Sequence, residues 1–121
     1  MFDPIEFYKF SEEMLGFHSS KESARRSVVS RSYYAVFLIV REKLRRTHPN
    51  EVHDNAFDHD GIVKALKSRG YVYEAQKCFD LKDERHEADY KLNIPCTDKK
   101  ANDVLADARD LIENKIPNVT F

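Results

Sequence analysis

Eight apolar or aromatic residues stand in an unbroken row from Tyr33 to Val40, inside "SRSYYAVFLIVREKLRR", with arginines on either side. A helix can be apolar all round only where neighbours cover it on several sides, so the run predicts the central helix of a helical domain. The flanking pattern is helical too. "DPIEFYKFSEEMLG" offers Asp3 as N-cap, Pro4 at the first helical position, Glu6 for a capping box and Gly16 as terminator. Ser20 is placed to cap the long second helix, which ends at about residue 46, before "THPN".

Residues 51 to 60, "EVHDNAFDHD", lack apolar periodicity and read as a loop. A short third helix follows over roughly 59 to 69 and is closed by Gly70. From Val72 to Leu92, the positions Val72, Ala75, Phe79, His86 and Tyr90 fall along one helical face, and Pro95 ends the run. Thr97 caps a last helix in which Ala101, Val104, Leu105, Ala108, Leu111 and Ile112 form a stripe before Pro117. No alternating strand pattern interrupts this order. The expectation is an all-α fold: one domain over 1–121, an up-and-down antiparallel bundle of four main helices plus one short helix.

Composition agrees with a globular domain, at 41% hydrophobic and 34% charged residues. No run approaches the roughly 18 consecutive apolar residues of a membrane span. The acidic start "MFDPIEFYKFSEE" lacks the basic and apolar regions of a signal peptide, so a cytoplasmic location with no membrane contact is expected. Cys78 and Cys96 have no C-x-x-C spacing and read as two reduced thiols.

Charge changes the picture more. The formal net charge is only -1, yet residues 21 to 46 carry Lys21, Arg25, Arg26, Arg31, Arg41, Lys43, Arg45 and Arg46 against Glu22 and Glu42. On a helix of about 3.6 residues per turn, Arg31, Tyr34, Leu38, Arg41 and Arg45 share one face. Arginines flanking an aromatic can hold a phosphate backbone while the ring stacks a base. The same pattern also describes a solvated edge with snorkelling arginine stems.

Two polar constellations remain. His53, Asp54, Asp58, His59 and Asp60 crowd one loop, but neither the register of a calcium loop nor zinc-ligand spacing fits. No metal is therefore expected, and Asp58 or Asp60 reads as the cap of the third helix. In "LKDERHEADYKL", residues 81 to 92, Arg85 and Asp89 are spaced to pair, while Asp83, His86 and Tyr90 line the adjacent face. On that spacing His86 can donate to Asp83 and sit near the Tyr90 hydroxyl. Gly-rich phosphate loops, nucleophile elbows, paired catalytic carboxylates and the metalloprotease H-E-x-x-H are absent, which argues against most familiar enzyme classes.

The ordered set "SRSYYAVFLIVREKL", "FDHDGIVKAL", "LKDERHEADYKL" and "ANDVLADARDLIENKI" resembles the small stand-alone prokaryotic branch of the HEPN family (higher eukaryotes and prokaryotes nucleotide-binding domain), over about residues 20 to 116. That branch has an R-x-x-Y-Y-A-x-F type second helix, a histidine opening the third, and an R-x-x-A-D-Y type fourth. The resemblance implies RNA or nucleotide as ligand, a homodimer, a minimal nucleotidyltransferase as toxin-antitoxin partner, and no cofactor. Active members are metal-independent ribonucleases that place an arginine four to six residues before a histidine. Carried over, the arginine is Arg85, the polar follower is His86, and the histidine position holds Tyr90. Arg85 would then stabilise the phosphorane, His86 act as acid or base and Tyr90 orient the phosphate, with Arg31, Arg41 and Arg45 as a nucleic-acid-binding wall. A tyrosine has an ordinary pKa near 10, which makes it a poor base at neutral pH. The competing reading is a non-catalytic module partnering a nucleotidyltransferase.

Overall fold

The computed structural model describes residues 1–121. Five helices follow in order: α1 Ile5–His18, α2 Glu22–Thr47, α3 Phe57–Ser68, α4 Val72–Tyr90 and α5 Asp98–Asp110. Past α5 the chain widens into a π-turn over Leu111–Lys115 and a 3₁₀ turn over Ile116–Asn118, and there is no strand. The fold is an all-α helical bundle, as the hydrophobic spacing predicts. No helix is long and apolar enough to cross a membrane.

α2 is the axis of the bundle, packing against α1, α3, α4 and α5. Of its apolar run, Tyr33, Ala35, Val36, Phe37 and Val40 are buried, joined by Val28 and Val29 one turn earlier. Tyr34, Leu38 and Ile39 are only partly covered. The run is thus not enclosed all round, and Tyr34 and Leu38 mark the side left open. Leu66, Leu81 and Leu111 fill the opposing faces of α3, α4 and the α5 extension. Truncating any one of them to alanine should cost about 2–5 kcal/mol, the usual range for buried leucines.

Several helix ends match their sequence signals. Asp3 Oδ1 accepts from the Ile5 amide at 3.1 Å, although Pro4 takes the N-cap position and the expected Glu6 capping box does not form. Thr97 Oγ1 accepts from the Lys100 amide at 3.1 Å and starts α5. Gly70 ends α3 at φ 89°, with Gly70 N–H donating to the Lys67 carbonyl and Tyr71 N–H to that of Leu66. This is the glycine-closed pattern in which a left-handed residue caps the last carbonyls.

Other ends differ, because neighbouring side chains within a few residues take the exposed backbone groups in other ways. Gly16 does not stop α1, which runs on to His18. Ser20 does not cap α2: Lys21 occupies that position without a side-chain bond, and Arg25 Nη1 instead donates to the Ser19 carbonyl at 2.8 Å. Asp58 and Asp60 do not cap α3 either. Asn55 Oδ1 receives the Phe57 amide at 3.0 Å, while the buried Asp58 carboxylate reaches back to the amides of His53 and Asp54, at 2.8 and 2.9 Å. Asp58 therefore folds the loop in front of its own helix, including Asp54 at φ 57°.

The phase of α4 is the largest correction. Its core face is Ala75, Cys78, Leu81 and Ala88, whereas Val72, Phe79, His86 and Tyr90 of the predicted stripe are exposed. Small residues at Ala75, Cys78 and Ala88 let α4 approach α2 closely. Arg26 of α2 fixes the end of the helix, donating to the carbonyls of Ala88 at 2.8 Å and Ile94 at 2.6 Å. Guanidinium donors are well suited to the unpaired carbonyls at a helix C-terminus.

Candidate functional site

The phase of α4 turns Arg85 inward toward α2. Its side chain keeps 12% of its surface exposed. The guanidinium carbon lies 5.5 Å from the ring centroids of both Tyr33 and Tyr34. Such contacts are worth roughly 0.5–2 kcal/mol each, more as water is removed. The Nε–H is buried and has no acceptor. The nearest carboxylate, Asp89, stands 3.8 Å from Nη1, beyond hydrogen-bonding range, and accepts instead from Ser30 Oγ at 3.2 Å. Arg85 is thus a largely dehydrated cation whose charge is only partly balanced.

His59, in the first turn of α3, completes the cluster. Its ring lies nearly parallel to Phe37, 4.1 Å between centroids, and 5.7 and 6.1 Å from the centroids of Tyr33 and Tyr34. Its Nδ1 is hydrogen-bonded to the Tyr33 hydroxyl at 2.5 Å. Burial, and then the nearby charges of Arg85 and Lys82, hold the imidazole below the ordinary histidine range. Burial likewise pushes the Tyr33 phenol up, so it stays protonated. Lys82 pairs with Asp60 at 2.7 Å on the rim.

The other residues singled out by sequence lie elsewhere. His86 and Tyr90 pack against each other with tilted rings on the exposed side of α4, centroids 5.1 Å apart, while Arg85 points to α2. No His86–Asp83 hydrogen bond forms; His86 faces solvent, away from a fixed partner. Arg31 is exposed and lies 5.2 Å over the Phe7 ring of α1. Arg41 and Arg45 share the Glu42 carboxylate at 3.0 and 3.1 Å, and Arg45 also binds Asp54. Burial works against the Glu42 carboxylate ion, but hydrogen bonds from Arg45 and Arg41 outweigh it and hold its pKa below the usual range. Arg41 additionally covers the outer part of the Phe37 ring, 5.6 Å from its centroid.

Much of the remaining positive charge of α2 is structural. Arg25 donates to the Cys96 carbonyl at 2.7 Å, Lys43 to that of Ile116 at 2.7 Å, and Arg26 to the end of α4. No group of three or more His, Cys, Asp or Glu side chains converges in a way that would hold a metal ion.

Tyr33 was not among the sequence candidates, and His59 was weighed there only as a metal ligand. Their hydrogen bond joins residues 26 apart in the chain, a distance at which local spacing carries no information. The one available signal was the histidine opening the third helix in the family pattern, to which no role was attached.

No family model matches the chain, nor does any curated protein or solved structure.

Proposed function

We propose that this is an HEPN-like domain that binds RNA or a nucleotide through phosphate, at Arg85 and the tyrosine pair of α2. One observation carries the reading: a nearly buried guanidinium rests on two aromatic rings with its Nε–H unpartnered and its nearest carboxylate out of bonding range. Buried charge is costly until it is paired, so such a cation favours an anionic ligand. Phosphate suits the forked donors of arginine, and Tyr34, partly open, offers a ring beside it.

Fluorescence anisotropy with labelled single-stranded RNA tests the reading. Arg85→Ala should weaken binding about tenfold, the effect of one lost charge-assisted contact. Unchanged affinity would sink it. Whether cleavage accompanies binding is answered by incubating mixed RNA with the protein in chelator. Loss of cutting in Arg85→Ala would support a metal-independent ribonuclease centred on Arg85, whereas His86 and Tyr90, on the exposed side of α4, would act there only if His86→Ala or Tyr90→Phe also abolished cutting. Intact RNA with retained binding would assign binding alone.

A second copy of the chain is the partner that suits α4. Val72, Gln76, Phe79, Asp83, His86 and Tyr90 repeat at alternating four- and three-residue steps, and all six are exposed. That is the spacing of a two-helix seam. Lys67 flanks one end and Asp83 stands toward the other, so antiparallel copies about a two-fold axis set opposite charges together. Phe79→Asp should convert a dimer to a monomer in light scattering, and a wild-type monomer would overturn this part. The alternative, a non-catalytic partner of a minimal nucleotidyltransferase, draws support from the carboxylate-neutralised end of α2, and it predicts a stable complex that survives Arg85→Ala.

A further inference from the structure

Arg85 alone would hold a phosphate without fixing its direction. We propose that His59 is the second arm of the site, a neutral imidazole whose Nε2–H donates to the same phosphate oxygens that Arg85 grips. This rests on the phosphate reading above and adds a residue and a protonation state to it.

The chain of inference starts at Tyr33. Its side chain is 1% exposed, and its hydroxyl has one hydrogen-bond partner, His59 Nδ1. A buried O–H that pointed its proton elsewhere would be left unsatisfied, so the hydroxyl donates and Nδ1 accepts. A neutral imidazole carries one donor and one acceptor, so the proton must sit on Nε2, on the far side of the ring from Tyr33. Phe37, lying nearly parallel to the ring at 4.1 Å, holds its plane.

The surroundings keep the ring neutral. The groups facing it are Tyr33 and Tyr34 from α2, Arg85 and Lys82 from α4, and Asp58 and Asp60 on α3 itself. Asp60 is paired with Lys82, and the Asp58 carboxylate is spent on the amides of His53 and Asp54. Burial and the two cations therefore prevail over the two carboxylates. Arg85 and His59 border the same two tyrosines, so both donors serve one patch.

This arrangement has a chemical consequence. With Nδ1 sealed by Tyr33 and Nε2 protonated, His59 cannot take the proton of a ribose 2'-hydroxyl. It serves as a directional donor, and the ligand class is a phosphodiester or phosphomonoester that is held rather than cleaved by this residue.

Two measurements on the full chain test this. The ¹⁵N spectrum of the ligand-free protein near pH 7 should show His59 with an unprotonated Nδ1 and a protonated Nε2; the opposite tautomer, or an imidazolium, overturns the proposal. In RNA anisotropy His59→Gln, which keeps a neutral N–H donor, should bind within about twofold of wild type, and His59→Ala about tenfold worse. If glutamine is as damaging as alanine while both variants keep the helical circular dichroism of wild type, the donor role fails. Tyr33→Phe should retain wild-type affinity at pH 8 and make affinity depend on pH between 6 and 8, since Nδ1 is no longer capped and can take a proton to give imidazolium; a flat profile argues against Tyr33 as its keeper. Displacement of labelled RNA by a nucleoside monophosphate indicates a nucleotide ligand, and displacement by unlabelled RNA only indicates the backbone. Should Arg85→Ala bind normally, the phosphate reading falls, and the ligand-free spectrum still reports separately on the Tyr33–His59 pair.

Discussion

Two arginine sites on neighbouring faces of the bundle have had opposite fates. At the end of α2, Arg41 and Arg45 meet Glu42 and Asp54, so that cation and carboxylate cancel at the surface. Midway along the same helix, Arg85 of α4 meets aromatic rings and a neutral imidazole, with one carboxylate held at 3.8 Å. The first region is richer in positive charge along the sequence, and the second has the more available cation. Density of basic residues therefore reports where charge is placed, and burial with partner type decides where it remains usable.

The comparison can be broken most severely through Asp58. Its carboxylate satisfies two loop amides while 2% exposed, and Asp58→Ala should lose about 2–3 kcal/mol in urea unfolding, the cost of stranding buried donors. The same change loosens the loop that carries Asp54 against Arg45. Next in size is removing the carboxylates directly. Glu42→Gln with Asp54→Asn frees Arg41 and Arg45, and the slope of log affinity for RNA against log salt should steepen by roughly one unit or more. An unchanged slope would mean that those arginines face away from any bound strand.

Acid provides a smaller perturbation. Because the folded-state pKa of Glu42 lies below its ordinary value, the ion cluster contributes stability above that ordinary value and loses it as pH falls through the depressed one. His59 acts in the same direction: its folded pKa is lowered, so the unfolded chain binds the proton more readily, and stability declines as pH falls through the ordinary histidine range, about 6.5. Urea midpoints between pH 7.5 and 5.5 should drop in wild type and much less in His59→Gln. Smallest of all, Arg45→Ala should leave the urea midpoint nearly unchanged, since its pair with Asp54 is largely solvated.

Helix existence and order were legible in the sequence because they follow from local chemistry: the apolar run of α2, Thr97 before α5, and Gly70 after α3. The phase of α4 was not, since a stripe of Val72, Phe79, His86 and Tyr90 looks as apolar as a core face until one knows that Arg26 anchors the helix end and that alanines and Cys78 do the packing. Arg85 was legible as a candidate through its motif. Its surroundings were not: Tyr33 and His59 are contributed by two other helices, and Tyr33 reads locally as core. The basic face of α2 misled for the converse reason, because Asp54, which neutralises Arg45, belongs to a loop whose path depends on Asp58.

The clasp of Arg26 on the Ala88 carbonyl in the last turn of α4, and on the Ile94 carbonyl just beyond the helix, bears on how the molecule opens. A helix end stitched to the central helix by a buried-stem guanidinium cannot fray alone, because each carbonyl released strands a donor on α2. The amides of the last turn of α4 should therefore exchange with solvent at rates close to those of mid-α2, as one cooperative unit, while the first turn of α4, which begins at the exposed Val72, exchanges sooner.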